Sequence, residues 1–152
     1  MRIHAVAAIV LVSGLMVAAD APRDAGKEEL GKLQGTWVAV SGERNGAPVP
    51  DAAIKSWKMV VQGNKMTINP QTDNVPLAFE LDLSKTPKQI VLTLLEPRRK
   101  GQTRRGIYSL ENDLFKICCD NDDKKPNVKP PTGFSTRQGD GLLMFVAKRQ
   151  KP

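Results

Sequence analysis

From residue 36 to residue 148 the chain is a succession of short runs of strand formers, several with apolar side chains at every second position, punctuated by Pro and Gly. A period of two is the period of a pleated strand with one buried face, and no helical period longer than about two turns competes with it. The clearest case is Trp57-Lys58-Met59-Val60-Val61-Gln62, then Gly63-Asn64, then Lys65-Met66-Thr67-Ile68-Asn69, a hairpin in which Trp57, Met59 and Val61 share one face and Met66 and Ile68 share the other strand's. Leu77, Phe79 and Leu81 alternate in the same way, and so do Ile90, Leu92 and Leu94. Counting these runs predicts strands near 36–41, 57–62, 65–69, 77–82, 90–94, 104–110, 113–119 and 142–148. Turns are expected at Asn45-Gly46 and around Glu111-Asn112, with a helix start at Pro50-Asp51-Ala52-Ala53. Eight antiparallel strands either close into a barrel or split into a sandwich. The expectation is an all-β fold, an eight-stranded antiparallel up-and-down barrel with a short N-terminal lead-in.

The N-terminus predicts export. Met1-Arg2-Ile3-His4 precedes an apolar run from Ala5 to Val17, broken only by Ser13 and Gly14, and Val17 and Ala19 hold the small positions before a scissile bond at Asp20. About 13 residues are too few to span a roughly 30 Å hydrocarbon core. Cleavage there takes 19 of the 152 residues and one Arg, leaving 133 residues and a formal charge of +6 in place of +7. The domain reading is a signal peptide at 1–19, a lead-in at 20–32 forming one or two helical turns, and one barrel domain at 33–152. Localisation is expected to be periplasmic or extracellular, with no transmembrane segment after cleavage.

The chain's one His is His4, inside the leader, so the mature chain carries no imidazole. Ser-His-Asp and Cys-His catalysis, and the usual zinc sites, are thereby excluded. No catalytic residue, metal ligand or cofactor is assigned; an enzyme would need carboxylates such as Asp82 with Glu80 or Asp113. Asp120, Asn121, Asp122 and Asp123 lack the Gly and distal Glu of an EF-hand and read as a solvated acidic turn. Cys118 and Cys119 are adjacent on a strand, so at most one thiol faces the core.

Leu33-Gln34-Gly35-Thr36-Trp37, Leu81-Asp82 with Ser84-Lys85-Thr86-Pro87-Lys88, Gly106-Ile107-Tyr108-Ser109-Leu110, Asp113-Leu114, Cys118 and Val146 to Arg149 appear in that order. With them the chain resembles a family of small exported lipocalin-like domains abundant in planctomycete bacteria, of unknown function, over roughly residues 33–149. The resemblance implies that the barrel is lipocalin-like and that Gly35, Trp37 and Arg149 close it, the Gly admitting a tight turn into the first strand and the Trp plugging the closed end beneath a basic side chain. It departs at Lys129-Pro130-Pro131-Thr132-Gly133-Phe134, where an Arg-Pro pair is expected, and at Asn112-Asp113, where Gly-Asp is expected. It brings no activity.

Two binding surfaces remain as expectations. Trp57, Met59, Val61, Met66, Ile68, Leu77, Phe79, Leu81, Ile90, Leu92 and Leu94 line a pocket or fill a core; with 4 Phe, 2 Trp and 1 Tyr in the chain, bulky fillers are scarce, which favours some open space for a small apolar or amphiphilic ligand. Arg98, Arg99, Lys100, Arg104 and Arg105 flank one turn and would make a positive hairpin tip for an anionic envelope component. Nucleic acid is not expected, because the interleaved aromatics that stack bases are missing.

Overall fold

The computed structural model describes residues 21–69, 73–122 and 129–152; the leader at 1–19 with its cleavage site, and Asp123 of the acidic segment, lie outside the described residues. Nine strands follow the chain: β1 (Gly35–Arg44), β2 (Ala47–Pro48), β3 (Lys58–Gln62), β4 (Lys65–Asn69), β5 (Val75–Asp82), β6 (Gln89–Leu94), β7 (Thr103–Glu111), β8 (Leu114–Asp120) and β9 (Leu142–Arg149). Eight of them make a closed antiparallel barrel. Each of β3 to β9 pairs with its sequence neighbour, β1 pairs with β3, and β9 returns to β1, so no long edge is left to template aggregation. The two-residue β2 is a spur beside the end of β1, reached through Asn45 and Gly46, both at positive φ.

Closure falls on β1, which serves two neighbours. Its first half, Gly35 to Val38, pairs with Val61 to Lys58, while Trp37 to Arg44 runs against Arg149 to Leu143. The register to β9 slips between Ala39 and Ser41, making Val40 the extra residue of a bulge and leaving it 51% exposed. Such a bulge sharpens the local twist, as a strand must when it bends to close a barrel.

The strands agree with the alternation to within a few residues. The second hairpin differs slightly: Glu111 pairs with Leu114, and the turn residues are Asn112 and Asp113, both at positive φ. The lead-in differs more. It is a helix, α1 (Ala21–Leu33), of 13 residues rather than one or two turns, held by an i, i+4 Glu28–Lys32 ion pair at 2.7 Å and by burial of Leu30 and Leu33 against the barrel. A second helix of one turn, α2 (Asp51–Ile54), follows Pro50 and buries Ile54. Among the described residues no helix is long and apolar enough to cross a membrane.

The interior is layered. At one end Trp37, Phe115 and Tyr108 meet with ring centroids 5.7 and 6.1 Å apart; towards the other, Trp57 and Phe145 meet edge to face at 6.2 Å. Gly106 sits between Arg104 and Tyr108 on β7, where a Cβ would come within 2.8 Å of the Cys118 carbonyl oxygen, so only glycine lets β7 and β8 lie this close.

Candidate functional site

The two ends of the barrel are built differently. At the end where β1 begins, the five residues from Leu33 to Trp37 act as one closure. Leu33 is buried and its carbonyl accepts the Trp37 indole N–H at 2.8 Å. Gln34 reaches across to the β3–β4 turn, accepting the Gly63 N–H at 2.7 Å and donating to the Gly63 carbonyl at 3.0 Å. Gly35 takes φ +113°, a backbone setting that L side chains rarely adopt. Trp37 is fully buried, with the Arg149 guanidinium 4.2 Å above its ring centroid. That guanidinium donates from Nη1 to the Gln34 carbonyl at 2.6 Å, from Nη2 to the Lys32 carbonyl, and from Nε to the Asp113 carboxylate at 2.9 Å. The flat fork thus binds the C-terminal end of α1, the start of β1 and the β7–β8 turn at once. The hydrogen bonds of this constellation all run between parts of the protein itself, the arrangement of a closure.

A second anchor ties α1 to the same end. The largely buried Glu29 carboxylate accepts Lys88 Nζ at 2.7 Å and the Tyr108 hydroxyl at 3.2 Å. Burial, with the Glu29 charge beside it, pushes the Tyr108 phenol well above its ordinary range.

Among the described residues the other end is open. A cavity of about 210 Å³ enters the barrel between the ends of β1, β6 and β8 and the starts of β5, β7 and β9. Its apolar wall includes Trp57, Ile68, Leu77, Leu92 and Leu94 of the residues singled out from sequence. Met59, Val61, Met66, Phe79, Leu81 and Ile90 do not border it; they pack into the core around and below it, Leu81 only partly buried. The apolar face is therefore half cavity wall and half filled core. Val75, Ile117, Leu143 and Phe145 complete the wall, together with Cys119.

The cations near the β6–β7 turn do not form one tip. Arg98, Lys100 and Arg105 are exposed, whereas Arg99 and Arg104 border the cavity, Arg104 only 5% exposed. Strand alternation is the reason: Arg104 and Arg105 are neighbours on β7 and must point to opposite faces. Arg99, in the single 3₁₀ turn Pro97–Arg99, is paired with Glu96, and Arg104 Nη1 donates to the Asp122 carbonyl at 3.1 Å. Arg44, at the end of β1, joins them on the rim.

Asp120 was missed by sequence reasoning. Rather than beginning a solvated turn, it is the last residue of β8, paired with Leu142, 2% exposed, and part of the cavity wall. Its Oδ1 accepts the Asp122 N–H at 3.0 Å. Strand phase could not have located it, since Phe115, Ile117 and Cys119 give the inner face of β8 and Asp120 falls on the outward phase with Cys118.

Both thiols are buried and free. Cys119 belongs to the core and borders the cavity, and burial pushes it up to about 12. Cys118 faces outward beside Ile107, roofed by the segment that carries Ser135, whose carbonyl lies 3.8 Å from Sγ; burial pushes it up to about 11. That roof is pinned by Glu43, which accepts the Thr136 N–H and hydroxyl, both at 2.7 Å, and these bonds hold its carboxyl below the usual range. Of the carboxylates weighed for catalysis, Asp82 accepts the Ser84 N–H and hydroxyl in a local turn, and Asp113 serves Arg149.

Fold and site together define a closed all-β barrel, plugged at one end and bearing at the other a small apolar cavity with a charged mouth. No protein-family model, curated protein or solved structure matches the chain.

Proposed function

We propose that this is an exported binding module, akin to the lipocalin-like domains its motifs resemble, that holds one small amphiphilic molecule with its apolar part inside the barrel and its head at the open end. The observation that carries this reading is the cavity itself, an apolar pouch whose polar groups, Arg44, Arg99, Arg104 and Asp120, cluster at its mouth. Its volume of about 210 Å³ lies below the roughly 300–1,000 Å³ of drug-sized sites, which favours a short chain over a long-chain lipid. The excess of guanidinium over carboxylate favours an acidic head. The rival reading, a basic tip docking on an anionic polymer, loses two of its five cations to the cavity.

Calorimetric titration of the purified protein with octanoate, octanol and octylamine tests the reading. Saturable binding with octanoate tightest is the expected result, accompanied by the negative heat-capacity change of apolar burial. Binding of none of the three overturns it.

A further inference from the structure

Of the guanidiniums at the cavity mouth, two are already engaged, Arg99 with Glu96 and Arg104 with the Asp122 carbonyl. Arg44 differs from them: it is exposed, and its side chain meets no hydrogen-bond or ion-pair partner among the described residues. Strand phase and the cavity agree on the face it occupies. Residues directly opposite one another in an antiparallel ladder share a face. Beyond the bulge at Val40, Gly42 pairs with Phe145 and Arg44 with Leu143, both of which pack with the core. Arg44 therefore stands on the inner face of β1, at its last residue, where the barrel opens to solvent.

Arg44 also borders a second space. Beside β2 and α2 lies a groove of about 410 Å³, walled by Ala47, Pro48, Val49, Pro50 and Ala53. These residues carry no charge, and Arg44 and Trp57 line the groove and the cavity alike. The two spaces thus meet at one aromatic ring and one unpaired cation. A straight-chain acid that fills the cavity leaves the groove empty, and one threaded through both carries its carboxylate past Arg44. A carboxylate on a carbon from which two apolar arms diverge meets the cation and fills both spaces at once.

On the reading that the cavity is a ligand site, we propose that its ligand is a 2-branched carboxylic acid, with one apolar arm in the barrel, the other in the groove beside β2 and α2, and the carboxylate on Arg44. The charge-assisted hydrogen bonds at Arg44 supply affinity common to all acids. The groove distinguishes among them, because only a branched acid covers it.

The test is calorimetric titration of the purified protein with octanoate, dodecanoate and 2-butyloctanoate. The last two are isomers, so a difference between them reports shape and not apolar content. The native protein is expected to bind 2-butyloctanoate about tenfold tighter than dodecanoate, the factor that covering about two methylene groups supplies. In Ala47→Trp an exposed residue of the groove wall, which does not border the cavity, gains a ring that fills the groove. There the preference is expected to vanish while octanoate binding persists. In Arg44→Gln all three acids are expected to weaken together, with the preference kept. Equal binding of the two isomers by the native protein, or a preference that survives Ala47→Trp, overturns the two-armed ligand and leaves the ligand-site reading standing. Unchanged affinities in Arg44→Gln overturn the placing of the carboxylate. Failure of all three acids to bind the native protein overturns both readings.

Discussion

Trp37 and Arg149 meet across the β1–β9 seam, yet the energies they contribute differ in kind. Trp37 is fully buried against Phe115 and beneath the guanidinium, so Trp37→Ala removes a large apolar volume that the surrounding strands cannot refill. A loss of about 3–5 kcal/mol is expected, read as a lowered urea midpoint. Arg149 is partly exposed, and its worth lies in geometry: one planar group serves two carbonyls and a carboxylate. Arg149→Lys keeps the charge over the ring but cannot reach all three partners, and about 1–2 kcal/mol is expected to go. If Arg149→Lys is as stable as the native protein, the fork is ornamental and the closure rests on the tryptophan alone.

At the scale of elements, the strands were legible and the attachments between them were not. A period of two in 57–62, 65–69, 77–82 and 90–94 marks both the strand and its buried face, because most of the residues between the alternate apolar ones are polar or small, Val60 and Val91 apart. In β7 both Ile107 and Tyr108 are apolar and buried, one outside the barrel beside Cys118 and one inside. The alternation therefore gives no phase, and the inward turn of Arg104 is hidden. The length of α1 was equally illegible: its apolar positions are few, and its anchor is Glu29 bonding Lys88 and Tyr108, 59 and 79 residues away. Glu29→Gln is accordingly expected to weaken α1's hold on the barrel and hasten hydrogen exchange across Ala21–Leu33 more than in any strand. The roof over Cys118 gives a pH prediction. Glu43 is held below its ordinary range by Thr136, so its contribution is present above the unfolded carboxyl's pKa and is lost as pH falls through the lower folded value. Acid, or Glu43→Gln at neutral pH, is expected to loosen the segment around Thr136 and raise Cys118 labelling by 4,4′-dithiodipyridine, while Cys119, inside the barrel, stays unreactive. Labelling of Cys118 as slow in Glu43→Gln as in the native protein would show that the roof does not depend on this carboxylate.

For the molecule as a whole, the decisive property is that one barrel has two interiors. The end sealed by α1 and Trp37 is packed solid, whereas the end rimmed by Arg44, Arg104 and Asp120 holds the cavity. Strand β6 runs from one to the other, with Ile90 in the solid half, paired with Leu81 and Gly106, and Leu94 on the cavity wall, paired with Leu77. Replacing each with Phe makes a comparable chemical change on the same strand and the same face, so the two variants compare packing alone. Ile90→Phe must displace neighbours that have no room to yield, and a cost of about 1–3 kcal/mol in urea unfolding is expected. Leu94→Phe extends into open space, where the added ring gains contacts that the lining lacks, and a loss below about 1 kcal/mol is expected. The same ring occupies volume that a ligand would use, so octanoate affinity should fall in Leu94→Phe while its stability holds. Equal destabilisation of the two variants would mean that both ends are packed alike, and a Leu94→Phe protein that binds octanoate as well as the native one would place the ligand somewhere other than the barrel.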